Sequence, residues 1–337
     1  MVSLSASEQW RLVFLYLALR KQHLGDVWSA LGSAQYLWVI PGIAVYMVAV
    51  WARAWRWHYM LRPLKKIPTN RMFPIVTIGY MGNNIYPARA GEVLRAYVLK
   101  RHEGVPISAS LATVVVERIF DGVVMLAFIF VNFSELARVK GDSGFIGGVS
   151  IQTVAVVGTI LFLGALAVFL LAAMFPFVTE KIVRRLTARF VPLRFREKTL
   201  DILLRFLGGL ESLRSPADVL MIFVTSVVIW LLETVKYWFV AHAFGIGNIS
   251  FFALMLMNGV VNLATTLPSA PGYVGTFDAP GIAILSAYGV QPEVATAYTL
   301  VLHAALWLPV TLLGAYFFAH EGLKWGKVPQ DVPQEAT

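Results

Sequence analysis

Three ionisable residues stand in the middle of an apolar run. Glu117, Arg118 and Asp121 are the only charged residues in positions 107–133. On a helix Glu117 and Asp121 share a face at i, i+4, and Arg118 reaches Asp121 at i, i+3. Each charge at a bilayer centre costs roughly 2.5–3.5 kcal/mol, so these side chains must face protein or water. Two uses fit them, and the two are compatible. One is a buried ion-pair network that locks helices together; the other is a polar cavity that accepts a charged head group. The trio sums to one negative charge, so a further cation is expected. Arg89 or Arg95 is nearest in sequence. Glu233 and Lys236, also at i, i+3, read as an interfacial pair near the end of another span.

The second source of chemistry is broken backbone. Pro87 and Gly91 interrupt one apolar segment, and Pro268, Pro271 and Gly272 interrupt another. A helix that begins after such a break presents unpaired N–H groups, which attract phosphate. Arg89 and Arg95 would add bidentate contacts, which guanidinium makes better than ammonium. Capping is the alternative. Glu92, Thr276 and Asp278 are placed to cap those helix ends, Thr276 more readily than Asp278, for which ligand binding is an equal reading. Asn83 and Asn84 either satisfy freed backbone groups or touch a head group.

The elements that must position these residues follow from composition. Of 337 residues, 58% are hydrophobic and 14% are charged, and the mean hydropathy is +0.69. Soluble domains carry about 25% charged residues. Residues 27–52, 143–179, 237–277 and 294–319 contain no Asp, Glu, Lys or Arg. At about 1.5 Å per residue each outruns a hydrocarbon core of about 30 Å. The fold class is therefore all-α, a polytopic helical membrane protein with two broken, re-entrant segments. A soluble enzyme, a disulfide-stapled domain and an outer-membrane barrel are excluded. The formal charge of +9 reads as orientation signal and attraction to anionic lipid rather than nucleic-acid binding. There is no cysteine, no phosphate-loop motif, and the six histidines are scattered. No catalytic residue, metal or cofactor is assigned, and no enzymatic activity is expected.

Loop charges set the topology. Arg53, Arg56, Arg62, Lys65, Lys66 and Arg71 follow the first long span with no acidic residue among them, and Arg89, Arg95, Lys100 and Arg101 follow the next. Both clusters read as cytoplasmic, so residues 72–97 should enter and return. Residues 107–133 then cross outward, 134–150 form a charge-balanced outer loop, and 151–178 cross back. Residues 180–214 are basic and cytoplasmic, with Leu203, Leu204, Phe206, Leu207 and Leu210 at the spacing of an amphipathic surface helix. Residues 219–243 cross outward, 251–288 are broken, and 294–319 return. A short apolar run at 12–19 makes a tilted or interfacial first helix rather than a cleaved signal. The total is roughly seven or eight spans plus the two broken segments, with both ends cytoplasmic. One membrane domain spans 1–327, and residues 328–337 read as a disordered polar tail.

The halves, 27–133 and 217–320, echo each other. Pro87 and Gly91 match Pro271 and Gly275 at an offset of 184, and Gly104-Val105 matches Gly289-Val290 at 185. Arg118 falls on His303, and Arg53 and Arg56 fall on Glu233 and Lys236 at an offset of 180. The loop charges give the halves opposite orientations, the pattern of inverted-repeat transporters. Chance recurrence of Pro and Gly in membrane helices is the alternative.

With these residues in view, the chain resembles the lysylphosphatidylglycerol synthase transmembrane-domain family of flippase-like membrane proteins. The resemblance is carried by Gly82-Asn83-Asn84-Ile85-Tyr86-Pro87-Ala88-Arg89-Ala90-Gly91-Glu92, by Arg95, and by Glu117-Arg118-Ile119-Phe120-Asp121. The looser motif around Pro268, Pro271, Gly272, Gly275, Phe277 and Asp278 adds to it. Asp278 stands where the family often has Glu, and His303 where it often has Arg. The resemblance implies translocation of a polar-headed lipid between leaflets of the cytoplasmic membrane. Some 17 residues follow His320, so it also implies a stand-alone member without the synthase domain. The residues expected to meet substrate are Asn84, Arg89, Glu92, Arg95, Glu117, Arg118, Asp121, Gly272, Asp278 and His303. The expected partners are membrane lipids, and a lipid-modifying enzyme is a candidate. A non-transporting scaffold and a membrane-embedded transferase acting on lipid-linked substrates are the rival readings.

Overall fold

The computed structural model describes residues 24–87, 89–132, 151–266 and 271–320. The apolar run at 12–19, the loop at 134–150, Pro268 and the C-terminal tail lie outside these residues. Twelve α-helices and no strand are found among the described residues. In chain order they are α1 (Leu24–Ser33), α2 (Val39–Leu61), α3 (Thr69–Ile85), α4 (Ala90–Glu103), α5 (Ile107–Val131) and α6 (Ile151–Met174). There follow α7 (Pro176–Phe190), α8 (Leu193–Gly208), α9 (Pro216–Ala243), α10 (Phe251–Ala264), α11 (Asp278–Ala287) and α12 (Pro292–His320).

Four helices are long and apolar enough to cross a membrane: Tyr36–Leu61, Val156–Met174, Pro216–Ala243 and Pro292–His320. Helix α5 is also long enough, at 25 residues, and differs by its three central charges. Among the described residues five helices, α2, α5, α6, α9 and α12, are thus long enough to run from one face of the molecule to the other; the run at 12–19, part of the expected seven or eight spans, lies outside these residues. Helix α6 presents Val156, Val157, Ile160, Leu161, Leu163, Val168 and Leu171 outward, as a lipid-facing helix does. Helices α7 and α8 join it to α9, and α8 packs Phe206 and Leu207 against the core. This is the amphipathic element expected there.

Contacts at the helix ends define the two faces. At one, Arg62 pairs with Asp218 at 3.4 Å, and Lys65 and Arg71 pair with Glu103 at 2.8 and 3.5 Å. The hydrogen bond from Lys65 holds the Glu103 carboxyl below its ordinary value against the opposing effect of burial, and the Lys65 and Arg71 charges add to it. At the other, the Gln35 N–H donates to the Ala243 carbonyl at 2.8 Å. Gln35, Gly245, Gln291 and Glu293 line one depression there.

Both ends of the α3–α4 hairpin therefore lie at the first face, tied by Glu103, as the enter-and-return reading requires. Both ends of the α10–α11 segment lie at the opposite face, since Gly245 before it and Gln291 after it share that depression. Helices α2 and α9 are antiparallel. Going along α2, Gly42 lies against Phe239, Tyr46 against Lys236, Arg56 against Ser226 and Arg62 against Asp218.

The first long span needs correction. Residues 27–52 do not form one crossing. Helix α1 ends at Ser33, and the crossing helix runs on to Leu61. Arg53 and Arg56 consequently sit inside the fold, 6% and 0% exposed. Arg89 and Arg95 likewise belong to the hairpin and not to a loop. The cations at this face are Arg62, Lys65 and Lys66 of the connecting loop and Arg71, Lys100 and Arg101 of the helix ends beside it, which still carry the positive-inside signal. An arginine that finds a carboxylate inside the bundle does not count as loop charge.

The hairpin closes on glycine. A Cβ on Gly91 would lie 1.9 Å from the Gly79 carbonyl oxygen and 2.4 Å from the Asn83 nitrogen, far inside van der Waals contact. Gly91→Ala is expected to destabilise the protein by about 1–3 kcal/mol, measured as a lower unfolding temperature in detergent. Gly25→Ala, where nothing lies within 4 Å, is the matched control and should leave it unchanged.

Candidate functional site

Helix α5 turns Glu117 and Asp121 toward α2, α4 and α9. Arg56 of α2 is the hub. Its Nη2 lies 2.9 Å from Glu117 Oε1, and its guanidinium bonds both oxygens of Asp121. Nη1 also donates to Ser226 Oγ at 2.8 Å. The Trp230 indole N–H donates to Asp121 Oδ1 at 2.8 Å. Arg95 of α4 closes the other side, 2.8 Å from Glu117 Oε2 and 4.9 Å from the Trp57 ring centroid. All four charged side chains of this layer are buried.

A second layer is half-buried. Arg118, whose side chain is 29% exposed, donates from Nε to Glu92 Oε1 at 2.9 Å and lies 3.9 Å from Asp121. Arg89 is 3.8 Å from Glu92 and donates to the Thr265 carbonyl at 2.6 Å. Its guanidinium lies 5.7 Å from the Tyr273 ring centroid. The two layers hold four cations against three carboxylates. Burial without full neutralisation is costly, so this surplus favours an anion at the half-buried edge. Between the layers runs a crevice lined by Val76, Gly79, Tyr80, Asn83, Arg95 and Arg118, with no room for a water molecule. It is a closed seam, narrower than the polar cavity expected from sequence.

The two breaks meet beside this edge. Arg89 and Tyr273 are the two non-glycine residues with positive φ among the described residues, at 54° and 61°. They occupy equivalent positions at the 184-residue offset and touch each other. The left-handed conformation costs a side-chain-bearing residue of order 1 kcal/mol, and such strain gathers at functional segments. At the second break the Gly275 N–H donates to Asp278 Oδ2 at 2.9 Å. His303 lies 2.8 Å from Asp278 Oδ1 through Nδ1 and 2.6 Å from the Gly272 carbonyl through Nε2. A carbonyl can only accept, so Nε2 carries a hydrogen. Asp278 thus fastens the turn and the histidine together. Asp278→Ala is expected to cost about 1–3 kcal/mol by leaving buried polar groups unpaired, measured as a lower unfolding temperature.

Several expectations change. Arg95 is a counter-cation of the trio, but Arg89 is not, and the dominant partner is Arg56, which sequence placed in a loop. Glu233 and Lys236 are buried rather than interfacial, and Glu233 pairs with Arg53 at 3.1 Å. Glu92 goes to Arg118 and Thr276 donates to the Tyr273 carbonyl, so neither caps a helix. Asn84 stitches α3 to α12 through Thr311, at 2.8 Å, away from the charges. Ser226, Trp230 and Tyr80 were not anticipated. For Arg53 and Arg56 the signal was present: at helical spacing they share one face with Trp57 and Met60, and that face is buried.

The family model described as Lysylphosphatidylglycerol synthase TM region matches residues 1–314. Among curated relatives, Glycosyltransferase AglD of Haloferax volcanii is 28% identical over 332 residues, covering 90% of this chain and 52% of that protein. The chain therefore spans about half the length of that relative. A UPF0104 membrane protein of Methanothermobacter thermautotrophicus is 27% identical over 299 residues, 83% of each chain. One of Methanocaldococcus jannaschii is 26% identical over 271 residues, 77% of each. No solved structure matches significantly. The first relative corrects the expectation that no enzyme is involved. Its name is that of an enzyme, and the lack of a nucleophile or metal motif is a weak argument where buried carboxylates can serve as acid or base.

Proposed function

The chain belongs to the lysylphosphatidylglycerol synthase TM region family, and from that premise we propose that it moves a lipid with an anionic polar head group between leaflets. The observation that carries this reading is the meeting of two broken segments, reached from opposite faces, at a network with surplus positive charge. The phosphate of the head group binds at Arg118 and Arg89, displacing Glu92, while the acyl chains stay in the bilayer. The deeper layer of Arg56, Arg95, Glu117 and Asp121 holds α2, α4, α5 and α9 in register. Gly272, Asp278 and His303 line the approach from the opposite face, and Asn84 holds the first hairpin to α12.

The antiparallel packing of α2 on α9, and the paired left-handed residues at the breaks, support halves 27–133 and 217–320 as an inverted repeat within one domain. Movement of each hairpin in turn would open the seam to one face and then the other. The loop cations support the cytoplasmic membrane, with the Glu103 face inward.

The test is leaflet exchange in liposomes. Purified protein should accelerate movement of tail-labelled phosphatidylglycerol well above protein-free vesicles. Rates equal to empty vesicles for every anionic lipid supplied would overturn the reading. The named glycosyltransferase relative favours a second reading, handling of a lipid-linked sugar coupled to its transfer. Incubation with nucleotide sugars and a polyprenyl phosphate, followed by product analysis, separates the two.

A further inference from the structure

Away from the Arg118 edge, a second cationic group lies between α2 and α9. Glu233 pairs with both Arg53 and Lys236, so two cations share one carboxylate. All three side chains are at least nine-tenths buried. Lys236 suffices to neutralise Glu233, which leaves Arg53 as a spare charge. Its hydrogen bonding points the same way. Nη2 meets Glu233, but Nε and Nη1 have no acceptor. Among buried nitrogens without a partner, Arg56 and Arg95 each have one, Nε, where Arg53 has two. Buried N–H groups of a guanidinium are rarely left without partners.

The surroundings of Arg53 are aromatic. Its guanidinium lies 5.6 Å from the Tyr80 ring centroid and 5.2 Å from that of Trp230. Rings over a guanidinium offset part of its desolvation but leave the in-plane N–H groups open. Tyr80 also forms one wall of the crevice that contains Arg95 and Arg118. One turn further along the same helix, Asn83 also lines the crevice and carries a buried Oδ1 that lacks a partner. Tyr80 therefore borders both the crevice and the guanidinium of Arg53.

We propose that Arg53 is a second phosphate-binding station, receiving the head group after it leaves Arg118, with Tyr80 as the partition that turns aside between them. The inference rests on the translocation reading. An incoming phosphodiester takes Nη1 and Nη2 together, the bidentate geometry that suits guanidinium. Glu233 keeps Lys236 as its partner during the exchange, so no carboxylate is stranded.

Arg53→Lys keeps the charge and removes the fork, and Arg53→Gln removes both. Each is reconstituted and assayed with tail-labelled phosphatidylglycerol and with a phosphate-free, tail-labelled glucosylceramide, alongside an unfolding scan. Arg53→Gln should slow phosphatidylglycerol exchange at least tenfold and Arg53→Lys severalfold, with glucosylceramide movement unchanged. Wild-type rates in both variants, or equal slowing of both lipids, would overturn the station. If the glutamine variant does not fold, the lysine variant decides by the same comparison. No exchange by the wild-type protein would instead remove the translocation reading beneath it.

Discussion

Arg56→Gln is expected to destabilise the protein by about 3–5 kcal/mol, the usual effect of removing one partner of a buried ion pair. The side chain is fully buried and serves two carboxylates, Glu117 and Asp121. In the variant Glu117 keeps Arg95, but Asp121 retains only the Trp230 N–H and a distant Arg118. A carboxylate left inside the bundle without a close cation must be protonated or draw in water. Ten tryptophans make intrinsic fluorescence the natural probe, and the midpoint should fall on the order of 10 °C. Adding Asp121→Asn should restore part of the loss, because the two sites share one interaction. An unchanged midpoint in the single variant would mean that the network does not hold the helices.

Arg118→Gln should behave in the opposite way. This side chain is half-buried, its Glu92 partner retains Arg89, and Asp121 retains Arg56. Pairs this exposed contribute up to about 1 kcal/mol, so the unfolding temperature should scarcely move. Exchange of phosphatidylglycerol should fall roughly 10- to 100-fold, the worth of one or two charge-assisted hydrogen bonds to a phosphate. The contrast between the two arginines is the informative result. Both lie in one network, yet only the one at the edge is placed to meet a ligand. Full exchange by the Arg118 variant would put the lipid path elsewhere.

Much of this arrangement was legible in the residues. The apolar runs located α5, α9 and α12 closely, and Pro87 with Gly91 located the first break. The intramembrane trio required partners, and it has them. The partners themselves were misassigned for a physical reason. An arginine directly after an apolar run is, by charge counting, a loop residue. Only the carboxylates 61 and 65 positions further on make it stable inside, and that pairing is tertiary. The Arg53–Glu233 contact spans the two halves and was invisible for the same reason. The enter-and-return path of the first hairpin was inferred correctly, although Arg89 and Arg95, which supported the inference, are not loop charges. Glu103, clasped by Lys65 and Arg71, is the better witness. His303 showed only as a departure from arginine; its place between Asp278 and Gly272 needed the folded turn.

The spare cations bear on how such a protein would respond to membrane voltage. A charge moved across the full membrane potential exchanges about 2.3 kcal/mol per 100 mV. Arg89 belongs to the first hairpin, so any displacement of that hairpin without a bound anion does electrical work. Joined to a phosphate, Arg89 becomes part of a neutral unit, and the same displacement is electrically silent. In the proposed translocation, an energised bilayer would therefore act on the empty hairpin and leave the loaded one indifferent.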